Sequence, residues 1–227
     1  MRQPRYLRTD EREEAVRSLE WAEQQAMSIS EDPYQWKWVL IALHNAMQGF
    51  MVLALWNGNG LLTLRDKIAA KWLDAYNNGG PYPVEKLDEF LNLYKKVKDK
   101  DNFHVVGAGP FSSGATHDKS FTLLNSCRNE FIHFTPKGWS LELRGLPRVC
   151  LDALDLIEFF GWQSTAILWH KQALVPRAKR AVKRMRGTLR TLEVTYGGYR
   201  ALNLAPFGRW TPRDKAAQRR LALRSAY

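Results

Sequence analysis

Two cysteines in 227 residues exclude a disulfide framework and a cysteine-rich metal centre. Cys127 and Cys150 make no metal pattern and read as small core residues, which fits a reducing cytoplasm. No run of about eighteen apolar residues occurs. The nearest stretch, Trp38 to Trp56, is broken by His44, Asn45, Gln48 and Gly49, so no membrane span is expected. The opening M-R-Q-P-R-Y-L-R-T-D has basic residues without the apolar core of a secretory signal. Paired long strands are missing too. Only Trp139–Arg144 alternates, as a short strand or as extended chain. Acidic residues are scarce at one end: residues 176–227 hold 14 Lys and Arg against 2 Asp and Glu, while the whole chain carries +11. The body is therefore close to neutral. A tail so charged fits RNA, DNA or an anionic surface, and is equally consistent with a solvated segment that has no dedicated ligand.

What is present points to helices. Hydrophobic residues make up 45% of the chain, enough for one buried core. Asp10 to Ser30 predicts a first helix, capped by Thr9 or Asp10, with Glu13 and Glu14 against the positive end of its dipole. Asp32-Pro33 opens a second, running to about Trp56; it is apolar nearly all round and is expected at the centre of a bundle. Asn57 to Gly60 breaks the chain, and Leu61–Tyr76 and Val84–Lys98 follow as amphipathic helices. Asp99 to Thr116 reads as a long loop. Its Gly107-Ala108-Gly109 lacks the flanking strand, helix and Lys-Ser/Thr that a phosphate cradle needs. A further helix starts at His117 or Asp118 and ends near Phe134, ahead of Pro136 and Gly138. A last core helix is expected from Arg148 to about Val175, with Gly161 as a kink point. The predicted fold is all-α: a bundle of about five to six helices over residues 1–175, with a basic, aromatic-containing extension over 176–227.

In that extension Arg177, Lys179, Arg180, Lys183, Arg184 and Arg186 are the candidate nucleic-acid contacts. Tyr196, Tyr199, Phe207 and Trp210 lie interleaved with arginine, a composition that follows phosphates and stacks on bases. A segment packing back onto the body would use the same residues.

The stretch with chemical promise is Ser126–Gly138, S-C-R-N-E-F-I-H-F-T-P-K-G. An arginine and a histidine together suit RNA cleavage without a metal, because the 2′-hydroxyl supplies the nucleophile. A histidine can move the proton, and a guanidinium can brace the charge on the pentavalent phosphate. No cofactor is needed. Arg128 and His133 are five residues apart, about 140° around an ideal helix, so they do not stack in register. Asn129 and His133 are four apart and share a face. If the helix loosens near Phe134, His133 can swing toward Arg128, with Asn129 orienting the imidazole or contacting a phosphate.

Arg128-Asn129-Glu130-Phe131-Ile132-His133 resembles the signature of the HEPN superfamily, an arginine, a polar residue, a short spacer and a histidine near the end of a late core helix. The resemblance covers roughly Asp10 to Val175 and rests on those six residues. It implies a small helical bundle and a metal-independent endoribonuclease of prokaryotic toxin–antitoxin or anti-phage defence systems. It also implies a homodimer, or a higher homo-oligomer, in which two Arg/His pairs form one composite site, with an antitoxin or defence protein as possible partner. Arg128, Asn129 and His133 would then be the catalytic residues. Thr135 departs from the pattern: one branch has a tyrosine there that a partner enzyme modifies. Other members only bind RNA or protein. The competing reading is a non-catalytic helical scaffold that binds nucleic acid, or holds an assembly together, through the basic tail.

His44, in an otherwise apolar helix, reads as a core histidine with one hydrogen bond, or as a support behind His133. His104, His117 and His170 have no spacing that makes a metal set with either cysteine. Trp36 and Trp38 face opposite sides of their helix, so at least one of them is expected at a surface or a dimer seam.

Overall fold

In a computed structural model, residues 6–56, 58–133 and 140–197 are described. Thr135, Pro136, Gly138, Trp139 and the aromatics beyond Gly197 lie outside them. Among the described residues there are seven α-helices and no strand: α1 (Glu11–Met27), α2 (Trp36–Leu55), α3 (Asp66–Asn78), α4 (Phe90–Lys98), α5 (His117–Ile132), α6 (Leu146–Glu158) and α7 (Leu174–Thr195).

α1 starts where its cap dictates. The Asp10 carboxylate accepts the Glu13 N–H at 2.8 Å, and Glu11, Glu13 and Glu14 fill the first turn. A cap of this kind is worth about 1 kcal/mol. α2 follows a 3₁₀ turn, Pro33–Gln35, capped by Asp32. It lies at the centre, with thirteen of its twenty residues buried. By length and composition Pro33–Leu55 could cross a membrane, but 67% of the window is buried within the protein, as in a core helix. α1 runs antiparallel to it. Asn45 donates to Ser18 Oγ at 2.7 Å, and a Cβ on Gly49 would stand 2.8 Å from that of Ala15. Only glycine allows that approach without movement. Trp36 is buried and Trp38 is exposed, with the Lys37 ammonium over its ring.

α5 and α6 are antiparallel, joined by Ser120 and Asp152. α6 ends in a π-helical turn, Phe159–Gln163, and the chain then runs irregularly until α7. The single helix expected from Arg148 to Val175 is therefore two, separated by residues 164–173. Gly161 lies in the π turn; its carbonyl accepts the Trp169 indole N–H at 3.0 Å.

α7 changes the domain division. The expected boundary at Val175–Pro176 falls inside this helix. Pro176 is its third residue, where a missing N–H costs nothing because first-turn donors have no helical partner. α7 packs on α1 and α6 and buries Leu174, Ala178, Ala181, Val182, Met185, Leu189 and Leu192. Residues 176–195 thus belong to the bundle.

The fourth helix begins at Phe90 rather than Val84. Residues before it are held extended, because Arg65 N–H donates to Lys86 O at 3.1 Å and Asp88 N–H to Thr63 O at 2.9 Å. The long loop is anchored by aromatics: Phe111 is buried among His117, Phe121, Phe159 and Phe160, and Phe103 stacks on Phe160.

These pairings give the bundle two distinct ends. Arg177 meets Glu13 and Glu20, so the first half of α7 lies beside the first half of α1. Trp36 Nε1 donates to Tyr196 Oη at 3.2 Å, bringing the last turn of α7 to the first of α2. α6 runs antiparallel to both α5 and α7: His117 faces Asp155 where Ser120 faces Asp152, and Arg186 pairs with Asp155 and Glu158 while the later Glu193 acts on the earlier Arg148. The C-termini of α1, α5 and α7 therefore share one end with the N-termini of α2 and α6.

Candidate functional site

That shared end holds Arg128, Asn129 and His133. Arg128 and Asn129 lie in the last turns of α5, and His133 is its C-cap residue, at φ −82° and ψ −2°. The His133 amide N–H donates to the Asn129 carbonyl at 3.0 Å, the bond that closes the final turn. Arg128 Nη1 donates to Asn129 Oδ1 at 3.0 Å. Asn129 is thus the common neighbour: its side chain holds the guanidinium and its main chain holds the turn ending in the imidazole. Arg128 and Asn129 are half-buried and His133 is exposed.

Behind them stands His44. It is 3% exposed, stacks on Phe90 with ring centroids 4.0 Å apart, and shares a 3.1 Å hydrogen bond between Nε2 and Asn125 Oδ1. Burial pushes its pKa down to about 4; the Asn125 bond opposes the shift and the positive charge of Arg128 adds to it. A neutral imidazole beneath Arg128 is the physical result. His44 therefore supports Asn125 within the core. Asn125 is the residue that the sequence reading missed. It lies three and four positions before Arg128 and Asn129, so the three polar side chains share one side of α5, and that spacing was the available signal.

The electrostatics of Arg128 set it apart. Five described arginines are half-buried: Arg12, Arg128, Arg148, Arg177 and Arg186. Four have a carboxylate, at 2.7 Å for Arg12–Glu11, 2.5 Å for Arg148–Asp152, 2.6 Å for Arg177–Glu20 and 2.7 Å for Arg186–Glu158. Among the described residues Arg128 has none, and its partner is a neutral amide. An arginine held by a neutral amide keeps donors and a full charge to offer an anion.

The tail residues divide. Arg177 and Arg186 are tied to the body, the first by Glu13 and Glu20, the second by Asp155 and Glu158. Arg184 lies near enough to Glu23 to act on its carboxyl, which burial pushes above the ordinary range. Lys179, Arg180 and Lys183 are exposed.

A second polar cluster lies at the opposite end of α5. His117, Asp152 and Asp155 bring ligand atoms within 4.8 Å of one another. Arg148 and Arg186 already pair with these carboxylates, and Ser120 Oγ donates to Asp152 at 2.5 Å. A cation would have to displace two guanidiniums, so this cluster reads as the ionic joint of α5, α6 and α7. The thiols of Cys127 and Cys150 are buried, and burial pushes that of Cys127 up to about 12. His104 and His170 join neither group.

No protein-family model, no curated protein and no solved structure matches this chain.

Proposed function

We propose that the α5 end is a phosphodiester site and that the protein cleaves RNA without a metal. The observation that carries this reading is half-buried Arg128, which has no carboxylate among the described residues, is held by Asn129, and precedes an exposed imidazole by five residues, about 1.4 helical turns. In this reading the 2′-oxygen attacks the adjacent phosphorus as it loses its proton. The bond to the 5′-oxygen breaks, and that oxygen takes up a proton. Arg128 stabilises the dianionic pentavalent phosphate, and His133 carries one of the two protons. Asn129 positions both. One imidazole serves one transfer at a time, so a second copy placing its own pair opposite would supply the other. The products are a 2′,3′-cyclic phosphate and a 5′-hydroxyl.

End analysis of the fragments tests this chemistry. Cyclic phosphate ends, and no cutting of a strand with 2′-deoxyribose at the cleaved positions, support it. Fragments with 5′-phosphates would point to attack by water and end it.

A second reading has its own observation. Arg128 is tied to Asn129 on its own helix and lies beside buried His44, as in a helix end held by local polar contacts. Arg128 and His133 would then be structural in a non-catalytic scaffold. In that case Arg128→Ala lowers the melting temperature and removes no activity.

A further inference from the structure

We infer that the outward face of α7 is a binding track for an RNA backbone, leading to the α5 end; the inference rests on the reading of that end as an RNA site. The helix sorts its cations by direction. The inward side buries seven residues, and Arg177 and Arg186 at its edges are paired with carboxylates of α1 and α6. Lys179, Arg180, Lys183 and Arg190 are exposed, and among the described residues none forms an ion pair. At 100° per residue the four fall within an arc of about 100°, and from the first to the last they span about 16 Å along the helix axis. Gly187 sits on the same face, with nothing within 4 Å of where a Cβ would be, so it leaves the surface open between Lys183 and Arg190. Lys179 lies over the Trp162 ring, 5.7 Å from its centroid.

Direction comes from the fold. α7 ends at the shared end of the bundle, where Tyr196 bonds Trp36 and where α5 also ends. The chain leaves α7 there with seven more Lys and Arg, against one Asp, in residues 198–227. Tyr199, Phe207 and Trp210 stand among them, and bases stack on aromatic side chains whereas acidic peptides have nothing to stack. Unpaired cations on a rigid helix, followed by a cationic and aromatic segment, favour a nucleic acid over an acidic protein.

The test measures binding of a fluorescein-labelled single-stranded RNA by anisotropy over a salt series. All chains carry Arg128→Ala, so that cleavage does not interfere. For single strands each phosphate neutralised contributes about 0.7 to the slope of log K against log salt. K179Q/R180Q/K183Q/R190Q is expected to lower the slope by about 3 and the affinity at least tenfold, with the melting temperature unchanged. R180K/R190K retains both slope and affinity. Where the quadruple variant melts early, R180Q/R190Q gives the same test at about half the change in slope. Equal slopes for variant and parent overturn the track, as does competition by polyglutamate as strong as that by unlabelled RNA. Cleavage by the chain with Arg128 intact is scored separately. Cutting without α7-dependent binding sinks the track alone, and α7-dependent binding without cutting sinks the cleavage reading alone.

Discussion

Replacing His44 by glutamine is expected to change how the fold responds to acid. In the folded protein His44 is buried, and its pKa lies near 4 against 6.5 for an ordinary histidine. Between those values the unfolded chain takes up a proton that the folded chain refuses. Acid therefore favours unfolding: the stability is fully present above the unfolded value and is lost as pH falls from 6.5 toward 4. At 1.36 kcal/mol per unit, the step from pH 7 to pH 5 costs about 2 kcal/mol, and the full window about 3 kcal/mol. Stopping at pH 5 keeps most carboxylates of the unfolded chain ionised, so their linkage contributes little. Glutamine retains a group able to bond Asn125 and does not titrate. Urea unfolding of both proteins at pH 7 and pH 5 gives the comparison. The wild type should lose about 2 kcal/mol more than His44→Gln over that interval. Equal losses would show that His44 is not held neutral in the core, and the packing beneath Arg128 would have to be redrawn.

The other expectations concern the bundle. Asp152→Ala removes the acceptor of the Ser120 hydroxyl and the nearer carboxylate of Arg148, which keeps Asp155 at 3.7 Å, at a cost of about 1–3 kcal/mol in urea unfolding. Gly49→Ala brings a methyl against Ala15 and should cost about 1–3 kcal/mol, and Ala15→Gly in the same chain should recover part of it. A chain ending at Val175 lacks the buried face of α7 and should show no cooperative thermal transition, while one ending at Gly197 keeps it.

The parts legible in the sequence were those governed by local chemistry. Asp10 and Asp32 announce their helix starts because a cap needs only the next three residues. The apolar circumference of α2 announces a central position. The end of α5 was legible for the same reason, from the polar residues closing an apolar run. Long-range pairing was not. The start of α4 is set by a bridge between Leu64 and Leu87, two segments that the sequence does not connect. Arg177 and Arg186 look like ligand contacts by composition, and only the fold shows that glutamates and an aspartate of α1 and α6 claim them. The packing of α7 did leave a trace. Leu174, Ala178, Ala181, Val182, Met185, Leu189 and Leu192 recur every three or four positions beneath the basic residues. Net charge obscures that period, and Pro176, which reads as a boundary in the sequence, is a first-turn residue of α7.

The most direct test of the central claim is single-turnover cleavage of a labelled RNA in excess chelator. It compares the wild type with Arg128→Ala and His133→Ala, after melting curves have shown both variants folded. The expected result is cutting by the wild type and a loss of about 100-fold or more in each variant. Equal rates in all three proteins, or cutting only when a divalent metal is restored, would contradict it.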